Sequence, residues 1–453
     1  MIRPYGTALA KLDANAFKPH LICISKLARW KRFTRQHYAD STINSFALIS
    51  LEKSSMKLGN ALQRRVTYMC AAPRISTHPD AEISGPRAHI LGFIQGLEAN
   101  GWQVKPFIVG DRMPRKLATN NMENSLSGGF LRALALDLAR WGLGTMNARN
   151  AWTELQHEVD WVYERFSPFA ALGRPFKQRG IPWILETHAP LFYEGKTERK
   201  TTALTGLARH LELKAYRECD ALICISDALK DIILEEAKIP AEKVIVVPNA
   251  VDVERFNPDA LPKRLFDGFT LGFVGRLYAW HGLEILLDAL QELRDDGLDI
   301  SLVVVGDGLV REELELGASQ RGIDHSVKFV GQVPWQDVPH YIAGFDVGYI
   351  GNIKMQVGKM YHSPLKLYEY LAMAKPVLAS AFDDARRVLR EGETGFLFDP
   401  GNKDDLKRSL TQAYMMRDRL HQMGQQGRAE ILAHHSWAAR VKLMAEQLEH
   451  ILP

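Results

Sequence analysis

Lys366 and Glu369 stand three residues apart, just after Ser363-Pro364. A hydroxyl residue followed by proline reads as a helix start, with Ser363 as the N-cap and Pro364 in the first helical position. Leu365, Leu367, Tyr368, Leu371 and Ala372 then recur at helical spacing, and the run stops before Pro376. A lysine in the first turn of a helix opposes the macrodipole. A bound anion resolves that conflict, because the unpaired N–H groups of the turn and the ammonium would point at it together. Glu369, one turn further on, could accept from hydroxyls of the same ligand. A nucleoside diphosphate and its ribose offer both features. The same residues also read as an ordinary surface helix with an i,i+3 Lys–Glu pair.

Arg276 and His281 form a second set, in Gly275-Arg276-Leu-Tyr-Ala-Trp-His281-Gly282. A short apolar run precedes this segment and a helical stretch from Leu283 follows it. A guanidinium at a strand's carboxyl end can grip a phosphate through two parallel hydrogen bonds. Taken alone, on an arbitrary loop, it reads sooner as a solvated arginine. What favours the ligand reading is that Arg276, His281 and the Lys366/Glu369 helix all follow strands of one expected sheet.

The elements that would position them come in two series. Short apolar runs start at Val66, Val104, Trp161, Pro182, Ala221 and Val244, with helical stretches between them. Residues from Pro248 to Pro262 interrupt the pattern with three prolines and read as a connection. A second series then runs through Leu271–Gly275, Leu302–Gly306, Val327–Gly331, Val347–Gly351, Val377–Ser380 and Gly395–Phe398. The expected fold is α/β, with two doubly wound Rossmann-like domains facing a deep cleft and ligands at the strand carboxyl ends. The expected limits are 66–252 for the first domain and 253–453 for the second with its terminal helices. Residues 111–150 read only as helix plus loop. Within them, Phe130 to Thr145 is amphipathic because it carries Arg132, Asp137 and Arg140.

Bulk properties exclude several classes. Hydrophobic residues make up 46% of the chain and charged residues 24%, as in a soluble globular protein. Four cysteines without C-x-x-C spacing argue against a disulfide framework and a zinc site, and fit a reducing, cytoplasmic compartment. No apolar run reaches the ~18 residues that a membrane span needs. Residues 1–65 hold 12 Lys/Arg against 3 Asp/Glu, so the rest of the chain is slightly acidic, which disfavours nucleic acid as a partner. That extension shows no sustained period. It reads as a transit-like segment, a basic arm for anionic membrane, or a start placed too early ahead of Met56, the last being preferred.

The motifs resemble those of the retaining family-4 glycosyltransferases of GT-B fold (glycosyl transferases group 1). The matching segments are Phe273-Val-Gly-Arg-Leu277, Val305-Gly-Asp-Gly308, Phe329-Val-Gly331, Leu367-Tyr-Glu-Tyr-Leu-Ala372 with Lys375-Pro-Val377, and Thr394-Gly-Phe-Leu397. Ile225-Ser226 and Val247-Pro-Asn-Ala-Val-Asp252 resemble the segments that lead into the linker. The resemblance implies Arg276 and His281 on the donor diphosphate and Glu369 on the ribose. It further implies first-turn N–H groups of Leu365 and Lys366 on phosphate oxygens, and Val330 to Val333 facing the base. His188, in Glu186-Thr-His188-Ala-Pro190, would contact the transferred sugar or the acceptor, or else pack at a domain seam. Gly275, Ser363 and Gly85 complete the expected binding set, with Gly85 letting backbone approach the donor.

Two departures stand out. His281 replaces the lysine of the family pattern, and Tyr361 falls on the first glutamate of its Glu-x7-Glu segment. The resemblance implies front-face transfer, in which the departing phosphate takes the acceptor's proton and cations stabilise the charge. No metal or other cofactor is then expected. The implied partners are a nucleotide-sugar donor and a saccharide or lipid-linked saccharide acceptor, with peripheral membrane contact through Phe130–Thr145 as an option. A non-catalytic GT-B subunit binding nucleotide or a partner enzyme is the alternative, and a nucleotide-sugar epimerase is a third reading.

Overall fold

In a computed structural model, the structure describes residues 64–81, 84–113, 129–197 and 201–452. The extension read over 1–65 therefore lies outside the described residues apart from Arg64 and Arg65. All twelve expected strands form. β1 (Arg65–Cys70), β2 (Gln103–Ile108), β3 (Trp161–Arg165), β4 (Trp183–Thr187), β5 (Ala221–Cys224) and β6 (Val244–Val246) make one sheet. Its order is β2-β1-β3-β4-β5-β6, and every pairing is parallel. β7 (Phe269–Val274), β8 (Ile300–Val305), β9 (Val327–Gly331), β10 (Val347–Ile350), β11 (Val377–Ser380) and β12 (Gly395–Phe398) make the second. Its order is β12-β11-β10-β7-β8-β9, also all parallel.

Burial explains the apolar runs. β4, β5 and β8 are buried along their whole length, because helices cover both faces of a doubly wound sheet. β2, at the edge, keeps Gln103, Lys105 and Pro106 exposed, and an edge is where a strand tolerates proline.

In each sheet the strand order reverses at one place, between β1 and β3 and between β7 and β10. Crevices at such switch points are where doubly wound sheets bind ligands. The segments after β7 and β10 carry Arg276, His281, Lys366 and Glu369.

Three local expectations change. Ser363 does not cap the helix after β10. That helix is Leu365–Ala372, Pro364 sits at its cap position, and no side chain caps it. The Ser363 hydroxyl is used inward instead, accepting from the Asn249 N–H at 2.9 Å and bonding to the Asp384 carboxylate.

The second concerns the long helix Gly129–Leu155, where Arg132 faces out as expected but one charge turns inward and several apolar side chains face out. Asp137 is fully buried and accepts from the N–H groups of Ala203 and Leu204 at 2.8 and 2.9 Å, while Phe130, Leu131, Leu138, Trp141 and Met146 are exposed. Two backbone donors at the start of the Thr205–Glu218 helix offset the desolvation of that carboxylate.

Third, the last helix, Trp437–Ile451, which the sequence places with 253–453, packs mainly on the first sheet's side. Trp437, Val441, Met444 and Leu448 share a core with Val66, Tyr68 and Phe93. Trp437 lies where a side chain on Gly92 of the Gly85–Ala99 helix would stand, so the two helices approach closely only because that position is glycine.

Candidate active site

Lys366 meets Phe273 near the carboxyl end of β7, beside the β7/β10 switch point. The Lys366 ammonium lies 3.8 Å from the centre of the Phe273 ring, is buried, and has no hydrogen-bond partner. A ring face compensates a buried cation only in part. Burial pushes the Lys366 amine down to about 7, with the Glu369 carboxylate acting against the shift. Burial likewise raises Glu369 to about 7, opposed by Lys366. Gly275, two residues after Phe273, takes φ of 139°, a conformation that suits glycine, and a Cβ there would lie 3.1 Å from Lys366 Nζ. Lys366 can reach back over β7 because position 275 has no side chain.

His281 closes the short turn Ala279–His281, and Gly282 after it takes φ of 64°. Its Nδ1 is buried without a partner. Burial first, then Lys366 and His362, hold the imidazole well below its ordinary range, so it is neutral before any ligand arrives. Arg276 is exposed on the rim, with its guanidinium 5.9 Å from the Tyr278 ring. Two buried nitrogens, an uncapped helix start and a rim guanidinium thus converge where a polyanion would satisfy all of them.

The remaining expected residues lie on the first sheet's side or face it. Gly85 opens its helix after the N-cap Ser84 and faces Leu365, whose Cδ1 would be 3.7 Å from a Cβ at 85. Tyr361, on the position of the missing glutamate, is fully buried and turned away from Lys366. Its hydroxyl donates to Glu194 Oε1 at 2.8 Å, and its carbonyl accepts from Ser226 Oγ at 2.8 Å.

His188 belongs to a second cluster at the carboxyl end of β4. Glu186 Oε1 lies 2.9 Å from His89 Nε2 and 3.3 Å from His188 Nε2, and Oε2 accepts from the Tyr68 hydroxyl at 3.3 Å. Burial works to raise the Glu186 carboxyl, but the two rings outweigh it and hold the group well below the usual range. Burial and then the Arg165 guanidinium push His188 down to about 3, so its ring is neutral. Ligand atoms of His89, Glu186 and His188 lie within 4.8 Å of one another, a set that could hold a metal ion. Those atoms are already engaged with each other, and Arg165 sits on His188 Nε2, where such an ion would have to bind. The set fits a metal poorly.

The two clusters are joined through the linker. His89 Nδ1 bonds Asn249 Oδ1 at 2.9 Å, and the Asn249 amide donates to the Ser363 carbonyl at 2.5 Å, two residues before the Leu365–Ala372 helix. Sequence reasoning missed Asn249, Arg165, His89 and Glu194. Of these only Asn249 lay in a quoted motif, and nothing in that motif pointed to its side chain.

Residues 83–255 match the family described as Glycosyltransferase Family 4, and residues 262–430 match Glycosyl transferases group 1. Among curated relatives, the alpha-D-kanosaminyltransferase of Streptomyces kanamyceticus is 23% identical over 230 residues, 49% of this chain and 58% of that enzyme. The match thus spans little more than half of that relative. Among solved structures, a sucrose-phosphate synthase from Thermosynechococcus elongatus superposes with a TM-score of 0.62 at 17% identity, covering 85% of this chain and 99% of that one. HepE of Anabaena, in complex with UDP and glucose, gives 0.59 at 18% identity, covering 85% and 99%. Both show the two-sheet GT-B fold. With the two family matches together spanning about three quarters of its length, the chain belongs to the group 1, family-4 glycosyl transferases.

Proposed function

We propose that the protein moves a sugar from a nucleoside-diphosphate donor to a hydroxyl acceptor, with retention of anomeric configuration. The observation that carries this reading is the Lys366 ammonium, buried and unpartnered beside an uncapped helix start at the switch point of the second sheet. The diphosphate would lie against the first-turn N–H groups of Leu365 and Lys366, with His281 beneath it and Arg276 folding in from the rim. Glu369 would accept from the ribose hydroxyls. As the sugar leaves, Arg276, Lys366 and the helix start would stabilise charge growing on the phosphate oxygen, with no metal called for. His188, neutral and held by Arg165 and Glu186, would face the sugar or the acceptor from the first sheet.

The test is a thermal-shift screen against UDP, GDP, ADP, CMP and phosphate, with and without EDTA. Selective stabilisation by one diphosphate, unaffected by EDTA, supports the site and names the base. No shift from any of them would turn the reading to a non-catalytic subunit, which the inward-turned Tyr361 phenol otherwise favours only weakly. The UDP bound by HepE puts UDP first in that panel. Proton NMR of the transferred sugar's anomeric centre then decides retention.

A lipid-linked acceptor in bacterial polysaccharide or glycolipid synthesis is the setting we favour. Its support is the exposed apolar face of the Gly129–Leu155 helix, formed by Leu131, Leu138, Trp141 and Met146. Sedimentation with anionic vesicles should carry the protein down, and Leu138→Glu/Trp141→Glu should leave it in the supernatant. No helix among the described residues is long and apolar enough to cross a membrane.

A further inference from the structure

The second half of the chain lacks a carboxylate at Tyr361, yet a carboxylate stands beside that position in space. Glu194 lies on the helix Leu191–Lys196 of the first half and is 2% exposed. Its Oε1 takes the Tyr361 hydroxyl at 2.8 Å and lies 3.2 Å from His362 Nε2. His362, a quarter exposed at its side chain, sits 6.3 Å ring to ring from Trp280, whose neighbour in the chain is His281. The dyad therefore borders the cluster assigned above to the donor.

We propose that Glu194 is a positioning residue for His362, and that His362 thereby reads a hydroxyl of the donor sugar. The inference deepens the glycosyltransferase reading and rests on it. A carboxylate only accepts hydrogen bonds, so the nitrogen that faces it, Nε2, carries the proton. That fixes the tautomer and leaves Nδ1 with its lone pair, an acceptor suited to a sugar hydroxyl and unsuited to a phosphate oxygen. The ring is held from the opposite half of the molecule. Met355, Met360 and Tyr361 of the same loop pack into the first half's core, so the loop and the carboxylate are placed together.

The helix that carries Glu194 is itself pinned. Glu212 accepts from the N–H groups of Leu191 and Phe192 at 3.0 and 2.9 Å, and from the Tyr216 hydroxyl at 2.7 Å. Tyr361, whose phenol is spent on the same Glu194 oxygen, supports the carboxylate and does not itself face the donor.

The experiment compares the parent with Glu194→Gln, His362→Asn and the double variant, each labelled with 15N-histidine. Comparison with His362→Asn assigns the His362 ring signals. Those signals should report an Nε2–H tautomer in the parent and a changed tautomer balance in Glu194→Gln. With a donor identified by the nucleotide screen, Glu194→Gln should lower kcat by about tenfold to a hundredfold while donor KM changes by less than about threefold. The double variant should be no slower than His362→Asn, because both changes break one unit. Identical His362 signals in the parent and Glu194→Gln would overturn the proposal, as would losses that multiply in the double variant. Absence of transfer by the parent would refute the glycosyltransferase reading, and the ring signals would still decide whether Glu194 sets the tautomer of His362.

Discussion

Lys366 is the residue on which the proposed diphosphate site turns, its ammonium buried without a hydrogen-bond partner. An ammonium kept near a pKa of 7 by burial is only partly charged at neutral pH, and a diphosphate beside it would restore the proton. Binding of UDP should therefore take up protons. Above pH 7 the affinity should fall by up to about tenfold per pH unit, because the bound state needs a proton that the free state no longer holds. Calorimetry in two buffers of different ionisation enthalpy measures the uptake directly, and Lys366→Met should abolish it along with most of the affinity. Equal heats in both buffers would remove the phosphate from this lysine. Around it, Glu369→Gln should weaken nucleotide binding by about tenfold. Arg276→Ala should instead act mainly on turnover, as the proposed contact of its guanidinium with the leaving diphosphate requires. Parent-like kinetics in either variant would misplace the site.

At the scale of elements, the Leu191–Lys196 helix shows how a short segment acquires a fixed position. It has six residues and no side-chain cap of its own, so Glu212 supplies one from the next helix. Burial raises the Glu212 carboxyl to about 8, with its hydrogen bonds pulling the other way. A carboxyl with a raised folded pKa stabilises fully below the unfolded value near 4.5, and that contribution is lost as pH rises towards 8. The melting temperature of the parent should thus fall relative to Glu212→Gln between pH 5 and pH 8. A constant gap across that range would show that the carboxyl titrates normally.

Little of this helix was legible in Leu-Phe-Tyr-Glu-Gly-Lys, whose period is too short to declare a face. The Gly129–Leu155 helix was legible as a helix but not in its orientation. Sequence periodicity assumes that charge faces water, and Asp137 faces two backbone N–H groups instead.

For the whole molecule, the two sheets are coupled by polar contacts as well as by apolar packing. Asn249 lies buried in the connection between them and bonds His89 on one side and Ser363 on the other. Removing its side chain would strand an imidazole nitrogen and a carbonyl in the interior. Asn249→Ala should cost about 1–3 kcal/mol in urea unfolding and loosen nucleotide binding, because Ser363 lies two residues before the Leu365–Ala372 helix. An unchanged midpoint and affinity would deny the connection any structural role. The terminal helix adds a second tie, since Val251 pairs with Ser436 just before the chain returns to the first sheet.

The twelve strands and their parallel pairing were determined by the sequence alone, as was the placing of Arg276, His281 and Lys366 after strands of one sheet. Buried strands must be apolar, and a parallel sheet carries the loops that face a ligand at its strand carboxyl ends. What the tertiary structure decided were contacts between residues far apart in the chain. Glu194 meets His362 across 168 positions, Asn249 meets His89 across 160, and Trp437 settles on Gly92. Local period and propensity describe only which face of an element is buried. The partner waiting at that face is chosen by how the two sheets pack, and with it the charge state of His188 and His281 and the direction in which Tyr361 points.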